Sequence, residues 1–392
     1  LPPSSGTPLV FGSPISGSIS VSGEQDLYTF TVGANRRIHF DSQTNNGNIV
    51  WTLAGPAGTV VSDRAFTGSD SFDFGNPALN LVAGDYILTI TGSGGATGAY
   101  QFQLLDFGSA VEITPDTVVS GSLSPASESD LYRFTATAGD QYFFDVQTGV
   151  SNATWRLIDP YGTVIFSLGF TTDQDTLVIP RSGAYTLIIE GRWNATGSAG
   201  YTFNVAFQGN VPPQPFDGTA LTIGNTVSGN ISVAGETDNF IYSLASYSRL
   251  YFDSITNNSS INWMLTGPSG TVVSNRAFTN SDSVDIGNPV LNLVAGDYLL
   301  SVDATGDVTG AYQFRFLDFA SALAITPGTP VSGDLTPANE SDLYQFSVVA
   351  GEKYFFDTQA RSGAGNARWR LIDPFNNVVF EGSFNSINSD VD

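Results

Sequence analysis

A pair of carboxylates stands just before an aromatic side chain at four places in the sequence, in the pattern Glu-x-Asp-x-aromatic. The four stretches are GEQDLYTF, SESDLYRF, GETDNFIY and NESDLYQF. Fifteen residues after each Asp comes a further Asp that directly follows a Phe. The repeated carboxylates are Glu24, Asp26 and Asp41; Glu128, Asp130 and Asp145; Glu236, Asp238 and Asp253; and Glu340, Asp342 and Asp357. Such sets are suited to cation binding, because calcium takes about six to eight oxygen ligands and accepts carboxylates readily.

We therefore predict a calcium site at the Glu-x-Asp pair, joined by the later Asp, in at least one repeat. Two alternatives stay open at this point. Carboxylates at strand starts commonly cap turns by accepting backbone N–H bonds, and they could also contact a neighbouring repeat. The later Asp follows an inward Phe, so alternation places it on the outer surface of its strand. A third acidic cluster follows the Trp of each repeat: Asp70 and Asp73, Asp173 and Asp175, Asp282 and Asp285, Asp390 and Asp392.

The sequence lacks the residues and motifs that zinc sites and common catalytic sites require. The chain has no Cys, and His39 is its single His, so zinc sites and Ser-His-Asp catalysis have too few residues. No HExxH motif occurs, and no GxSxG-type motif has a fitting strand–helix context. A carboxylate pair for glycoside hydrolysis would be singular, whereas these carboxylates are repeated. We predict that the chain is not an enzyme, and that His39, which alternates outward between Ile38 and Phe40, lies on the surface.

The tryptophans divide into two groups. Four lie at matching places inside apolar strands and are predicted to be core residues: Trp51, Trp155, Trp263 and Trp369. Trp193 lies instead in EGRWNATGSAG, close to a loop. With Tyr161 it is the one candidate for an exposed aromatic surface that binds sugar or protein.

The charge and composition favour an extracellular protein. Acidic residues number 37 and basic residues 14, for a net charge of −23. Such a field repels nucleic acid and anionic membranes. No apolar run is long enough to span a membrane, and disulfide-free secreted proteins are ordinary in bacteria. We therefore expect a location outside a bacterial cell or on its surface.

The repeats follow an A-B-A-B order. The aromatic residue after each acidic pair recurs at intervals of 104, 108 and 104 residues, and GTVVSDRAFTGSDS returns 212 residues later as GTVVSNRAFTNSDS. WRLIDP occurs in the second and fourth repeats. Hydrophobic residues alternate with period two between Gly-, Pro- and Asn-rich turns, which predicts an all-β chain of tandem antiparallel β-sandwiches. The predicted organisation is 1–14 linker, 15–108 sandwich A1, 109–209 sandwich B1, 210–218 Pro-rich linker, 219–320 sandwich A2 and 321–392 sandwich B2.

The stretches SGSLSPASESDLYRFTATAGDQYFF, WRLIDPYGTVI, SGAYTLIIEG and AGYTFNV resemble bacterial pre-peptidase C-terminal domains. The resemblance covers essentially the whole chain. It implies a secreted, jelly-roll-like sandwich of the kind that accompanies secreted peptidases and also occurs in tandem in large surface proteins. Related collagen-binding modules carry calcium, which is consistent with the predicted cofactor.

The last repeat ends 23 residues after its Trp, before the stretch that holds two closing strands in the second repeat. The absence of a leader and this early end predict an excerpt of a longer array. In the alternative, strands from another molecule complete the repeat and link copies into fibres.

We expect a structural or adhesive repeat segment of a bacterial surface protein. Its partners would be other copies, neighbouring repeats, or extracellular polysaccharide or protein. The alternative is a carbohydrate- or protein-binding module array that accompanies a secreted hydrolase. A row of exposed aromatic residues would favour that alternative.

Overall fold

The computed structural model describes residues 6–70, 73, 75–212, 214–268, 270–281, 283–349, 351–359, 362–363 and 367–384. The chain divides into two compact units, Leu1–Pro213 and Gln214–Asp392. Each unit contains one repeat of the A type followed by one of the B type. Almost all regular structure is β, which confirms the prediction of tandem antiparallel sandwiches.

Sandwich A1 consists of two sheets, in the orders β1-β3-β8-β5-β6 and β2-β9-β4-β7. The pairs are antiparallel except for β1 with β3. Short 3-10 helices cover Phe66–Gly68, Ser93–Gly95 and Phe107–Ser109. The strands are β1 (Thr7–Pro8), β2 (Ile15–Ile19), β3 (Gln25–Val32), β4 (Arg36–Ser42), β5 (Ile49–Gly55), β6 (Gly58–Ala65), β7 (Leu79–Leu81), β8 (Gly84–Gly92) and β9 (Gly98–Asp106).

The core of A1 lies between its two sheets, because alternate residues of each strand face inward. Trp51 on β5 is 1% exposed, and its ring stacks on Phe40 of β4 with centroids 4.0 Å apart. The indole N–H of Trp51 donates to Ser69 Oγ at 2.7 Å, so this buried donor is satisfied. Trp51 is therefore a core residue, as predicted.

Sandwich B1 repeats this architecture. Its sheets have the orders β10-β12-β17-β14-β15 and β11-β18-β13-β16, and Trp155 is fully buried between them. The strands are β10 (Val111–Glu112), β11 (Val119–Leu123), β12 (Ser129–Ala136), β13 (Asp140–Thr148), β14 (Ala153–Ile158), β15 (Val164–Gly169), β16 (Gln174–Val178), β17 (Gly183–Gly191) and β18 (Ala199–Asn210).

Sandwich A2 copies A1, since every one of its strands begins 212 residues after its counterpart. Its 3-10 helices at Phe278–Asn280 and Phe319–Ser321 lie 212 residues after those at Phe66–Gly68 and Phe107–Ser109, and Ser283–Ile286 forms one α-helical turn. Its sheets have the orders β19-β21-β26-β23-β24 and β20-β27-β22-β25. The strands are β19 (Thr219–Ala220), β20 (Val227–Ile231), β21 (Thr237–Leu244), β22 (Ser248–Ser254), β23 (Ile261–Gly267), β24 (Gly270–Ala277), β25 (Leu291–Leu293), β26 (Gly296–Ala304) and β27 (Gly310–Asp318).

In repeat B2 the described strands form two pairs. β28 (Leu323–Ala324) pairs in parallel with β29 (Tyr344–Gln345), and β30 (Arg368–Ile372) pairs in antiparallel fashion with β31 (Val378–Ser383). Trp369 on β30 contacts Phe356 and Phe380 edge to face. These contacts match those of Trp155 with Phe144 and Phe166 in B1.

Candidate functional site: the junction of the A and B sandwiches

The Glu of each Glu-x-Asp pair caps the turn before the strand. The Glu24 carboxylate accepts the backbone N–H of Val21 at 3.0 Å, and Glu236 accepts that of Val233 at the same distance. Glu128 and Glu340 accept the N–H four residues earlier, at 2.6 and 2.7 Å. These bonds correspond to the turn-capping alternative.

The Asp of each pair contacts a tyrosine hydroxyl instead. Asp26 accepts the hydroxyl of Tyr100, and the Tyr100 oxygen lies 2.7 Å from that of Tyr28. The bond to the Asp recurs at Asp130 with Tyr201 (2.5 Å) and at Asp238 with Tyr312 (2.6 Å), and the pair of hydroxyls recurs in B1 between Tyr132 and Tyr201. Burial, followed by the hydrogen bond to Asp26, raises the pKa of the Tyr100 phenol far above its ordinary value, so this hydroxyl remains a donor.

A glycine makes room for each of these tyrosines. A Cβ at Gly17 would lie 2.2 Å from the Tyr100 hydroxyl oxygen, and one at Gly121 would lie 2.3 Å from that of Tyr201. In B2, Asp342 bonds to Tyr344, two residues later in the chain. In A1, B1 and A2, the acidic–aromatic opening therefore links β3, β12 and β21 to the opposite sheet of the sandwich.

The later Asp of the A repeats lies at a junction between sandwiches. Asp41 is 1% exposed, although alternation predicts an outward position. It does point outward from β4, but B1 covers this face of the sheet. Its carboxylate accepts Nε2 of Gln43 and of Gln103, both at 2.8 Å. From B1 it accepts the hydroxyl of Ser129 at 2.9 Å and the Ser129 N–H at 3.3 Å.

The pKa of Asp41 is raised overall, by opposing effects of which burial is the largest. Burial raises the pKa of this carboxyl, while the charge of His39 and the bonds from Gln43, Gln103 and Ser129 lower it. All four hydrogen bonds donate to the carboxylate, which favours its ionised form against the cost of burial.

His39 is fully buried, so the prediction of a surface histidine is wrong. It also points outward from β4 and is covered by B1. Its Nε2 lies 3.3 Å from Ser129 Oγ and 3.4 Å from Glu190 Oε1. A catalytic Ser-His-acid relay needs the acid at the other ring nitrogen, whereas here serine and acid share Nε2 and the Ser129 proton is donated to Asp41. These residues hold two sandwiches together.

An apolar cluster continues the junction beside the polar one. It joins Phe107 and Ala110 at the end of A1 to Leu131, Ile158 and Ile188 on the outer face of the five-stranded B1 sheet. Ile158 and Ile188 are fully buried. Because these side chains face away from the B1 core, residues of A1 and of the segment after it, including Ala78 and Leu105, exclude water from them.

Polar contacts seal the rim of the junction. The guanidinium of Arg37 donates to the Pro160 carbonyl at 3.2 Å and lies over the Phe107 ring, 5.9 Å from its centroid. The amide of Asn76 donates to the Gly162 carbonyl at 2.8 Å. These contacts tie β4 and the loop before β7 of A1 to the β14–β15 turn of B1.

Trp193 also contacts A1 rather than presenting a free surface. Its backbone N–H donates to Asp70 at 2.6 Å, and its indole N–H donates to Asp73 at 3.0 Å. Arg192 pairs with Asp73 at 3.3 Å and lies over the indole ring. Asp70 is fully buried, so the third acidic cluster of A1 belongs to the junction.

The second unit has a junction of the same kind with different chemistry. Asp253, fully buried on β22, pairs with Nε of Arg315 at 2.7 Å and accepts the Ser341 N–H at 3.3 Å. Arg315 also reaches Glu340 at 3.3 Å and donates to the Ser341 carbonyl at 2.9 Å. Burial raises the pKa of Asp253, and Arg315 lowers it. Arg315 and Tyr251 occupy the positions of Gln103 and His39 in A1.

The corresponding Asp residues of the B repeats are less enclosed. Asp145 accepts Nε2 of Gln147 at 3.1 Å, and Asp357 accepts Nε2 of Gln359 at 3.2 Å. In the third cluster of B1, Asp173 accepts the Val146 N–H and Asp175 accepts the Thr176 N–H, each at 2.8 Å. Asp282, Asp390 and Asp392 lie outside the described residues.

The predicted calcium ligands do not form one site in the part of the chain that the structure describes. Within it, no group of three or more His, Cys, Asp or Glu side chains is placed to hold a metal ion. The Glu, the Asp and the later Asp of a repeat instead serve three different contacts. Calcium binding stays a prediction.

Comparisons with known proteins give likenesses to β-sandwich structures. No family model matches the chain, and no curated protein matches it. Among the described residues, no helix is long and apolar enough to cross a membrane.

The chain is similar to Aeromonas hydrophila PliG, a periplasmic inhibitor of g-type lysozyme, at 17% identity over 25% of this chain and 96% of that one, with a TM-score of 0.23. It is similar to the pre-peptidase C-terminal domain of a Bacillus anthracis collagenase at 19% identity over 26% and 96%, with a TM-score of 0.21. A triple jelly roll protein of an archaeal virus is 11% identical over 79% and 89%, with a TM-score of 0.17. At these values the likenesses carry no argument about what the chain does.

Proposed function

We propose that the chain is a structural segment of an extracellular bacterial protein, built from repeating two-sandwich units that act as rigid spacers. The observation that carries this proposal is the buried junction between A1 and B1. Side chains on the outer faces of two sheets are as inaccessible there as core residues. In a flexible array of independent modules, the outer faces of these two sheets would be exposed to solvent.

The junction combines the two features that fix an orientation. Its apolar part gains free energy from excluded water but tolerates sliding, since the hydrophobic effect is non-directional. Its polar part, Asp41 with Ser129 and Trp193 with Asp70, is directional and costs free energy if broken while buried. Together they favour one arrangement of A1 on B1.

The extracellular location rests on composition and belongs to the same proposal. A chain with 37 acidic and 14 basic residues and no Cys stays soluble through net charge and does not depend on a redox environment. The adhesive, calcium-bound and fibre-forming versions of the function remain narrower proposals within it.

The binding-module alternative requires exposed aromatic residues in a row. In the described part of the first unit, Phe207 is the one strongly exposed aromatic side chain, at 43%. Trp193 contacts A1, and the Tyr161 ring lies under the guanidinium of Arg181, 5.1 Å from its centroid. In the first unit this arrangement favours the spacer over a carbohydrate-binding surface. In the described part of the second unit, Tyr247, Tyr344, Phe355 and Phe375 are exposed, so the binding-module alternative is confined to that unit.

Limited proteolysis of the whole chain with a broad-specificity protease tests the proposal. The spacer model expects the first cuts within residues 209–218, while residues 107–118 resist, because Phe107 and Ala110 are buried in the junction. Early cleavage between β9 and β11 would show that A1 and B1 behave as separate modules. Tight retention on an insoluble polysaccharide or collagen would support the alternative function.

A further inference from the structure

Around Asp70, the junction of A1 and B1 holds more acidic than basic side chains. Here β4 contributes His39 and Asp41, the segment after Phe66–Gly68 contributes Asp70 and Asp73, β14 contributes Arg156, β17 contributes Glu190, and the loop after it contributes Arg192. Arg37, also on β4, instead bonds to Asn80 and to the Pro160 carbonyl at the rim. Four carboxyl groups therefore meet two guanidinium groups and one imidazole. Even counting His39 as a cation, one acidic group of this set has no basic counterpart. Glu128 adds another acidic group at the rim, where burial and then the charges of Asp130 and Asp41 raise its pKa.

Three of the four carboxyl groups have partners that suit an ionised acid. Asp41 accepts four hydrogen bonds. Glu190 lies 3.4 Å from His39 Nε2 and 3.7 Å from Arg156. Asp73 pairs with Arg192 and accepts the indole N–H of Trp193.

Asp70 differs from these three. It is fully buried, and among the described residues the Trp193 N–H is the one donor to its carboxylate, at Oδ2. Its Oδ1 is also buried and has no hydrogen-bond partner within that part of the chain. A buried carboxylate without a cation is strongly unfavourable, and such a group becomes neutral instead.

We propose that the A1–B1 junction closes with a proton on the Asp70 carboxyl, so that closure takes up a proton and mild acid tightens the junction. The proposal goes beyond the spacer function and holds whether or not the units act as spacers. Protonation turns Asp70 from an unpaired acceptor into a neutral group and leaves three acidic charges beside three possible cations.

The electrostatics of the site agree with this geometry. Burial first, then the charge of Glu190, and then those of Asp41 and Asp73, raise the pKa of Asp70 to about 10, against a lowering by the Trp193 hydrogen bond. In the open junction the same carboxyl meets water and returns to its ordinary pKa, about 3.9. The raised pKa belongs to the closed form, so its stabilisation is complete below the ordinary pKa. It is lost progressively as the pH rises toward the pKa of the closed form.

A thiol reporter can measure opening of the junction in the full chain. The chain has no Cys, and Ala110 is buried in the apolar part of the junction, so Ala110→Cys places the single thiol there. The labelling rate of this thiol is compared in two backgrounds, one with Asp70 and one with Asp70→Asn, which mimics the protonated carboxyl. The ratio of the two rates cancels the pH dependence of the thiol.

The ratio is the labelling rate with Asp70 divided by the rate with Asp70→Asn. Between pH 5.5 and 8.5 we expect this ratio to rise with pH by up to about tenfold per pH unit, which is the largest slope that the release of one proton can give. Asp63→Asn is the matched control, because A2 carries Asn275 at this position with the same left-handed backbone. Asp63→Asn removes one acidic residue outside the junction. The labelling rate with Asp63 divided by the rate with Asp63→Asn is therefore expected not to change with pH. A flat ratio for Asp70→Asn would overturn the proposal.

Infrared spectroscopy of the cysteine-free chain provides a second, independent measurement. At pH 7 the folded chain is expected to show the carbonyl stretch of a protonated carboxyl, which Asp70→Asn removes and Asp63→Asn retains. Absence of that band from the unsubstituted chain, or its persistence in Asp70→Asn, would contradict a proton at this site even if the Ala110→Cys variants fail to fold.

Discussion

Leu131 and Leu27 provide a matched test of how much the junction stabilises the first unit. Both follow the Asp of a Glu-x-Asp pair, both lie on the strand next to the sheet edge, and both face outward. Leu131 is 8% exposed because A1 covers it, whereas Leu27, at the equivalent place in A1, is half-buried. Replacing each with Ala removes the same atoms from two different environments.

The expected magnitudes follow from that difference. Truncating a buried Leu to Ala costs about 2–5 kcal/mol, which combines lost transfer free energy with a residual cavity. Leu131 is at the lower end of this range, about 2–3 kcal/mol, because an interface can partly close over the gap. The Leu27 side chain is already partly exposed to water, and its truncation leaves no closed cavity. We therefore expect Leu27→Ala to lower the free energy of unfolding by about 1 kcal/mol.

Urea unfolding of the full chain, followed for the transition of the first unit, measures both free energies. Leu131→Ala is expected to shift the midpoint to lower urea by clearly more than Leu27→Ala, with unchanged slopes. Equal shifts of the urea midpoint in the two variants would refute the reasoning, since they would mean that Leu131 is as exposed to solvent as Leu27.

Three other predictions concern the carboxylates. Arg315→Gln, which copies Gln103 of A1, is expected to lower the unfolding free energy of the second unit by about 1–3 kcal/mol, because it removes the cation beside buried Asp253; an unchanged urea midpoint would contradict the ion pair. Glu24→Ala is expected to lower the unfolding free energy of the first unit by about 1 kcal/mol, because the turn loses its cap. Urea unfolding measures this loss, with Gln25→Ala as an exposed control. A loss no larger than that of the control would count against the cap. If calcium binds at the acidic sets, a chelator at low ionic strength is expected to lower the melting temperature and added calcium to restore it, because a ligand of the folded state stabilises it; an unchanged melting temperature would contradict the calcium prediction.

The sequence pattern was sufficient for the fold. Period-two hydrophobicity and the 212-residue recurrence predict tandem sandwiches of A and B type, and strands such as Gln25–Val32 and Thr237–Leu244 recur at that spacing. The core positions of Trp51, Trp155 and Trp263 were equally predictable, because each lies inside an alternating apolar strand.

The junction could not be predicted from alternation, because alternation distinguishes the two faces of a strand but not whether a second domain covers the outer one. His39 and Asp41 point outward as predicted and are nevertheless buried. One signal was available in B1: β17 reads TLIIEG, where its A1 counterpart reads ILTITG. A continuous apolar run such as Leu187–Ile189 is typical of a strand buried on both faces.

The roles of the acidic residues were predictable only as alternatives. Turn capping by Glu24 depends on local backbone and could be stated from the spacing alone. The bond from Tyr100 to Asp26 joins residues 74 positions apart, and that from Ser129 to Asp41 joins two sandwiches. No local pattern specifies such long-range partners.

The accessibility of His39 tests the central claim most directly, because it is the single His of the chain. Diethyl pyrocarbonate modifies exposed imidazoles, and peptide mass mapping locates the product. If A1 and B1 form one unit with a buried junction, His39 is protected in the folded chain and reacts after Ile188→Asp opens the contact. Rapid modification of His39 in the folded, unsubstituted chain would show that the outer face of β4 is open to solvent and would contradict the account.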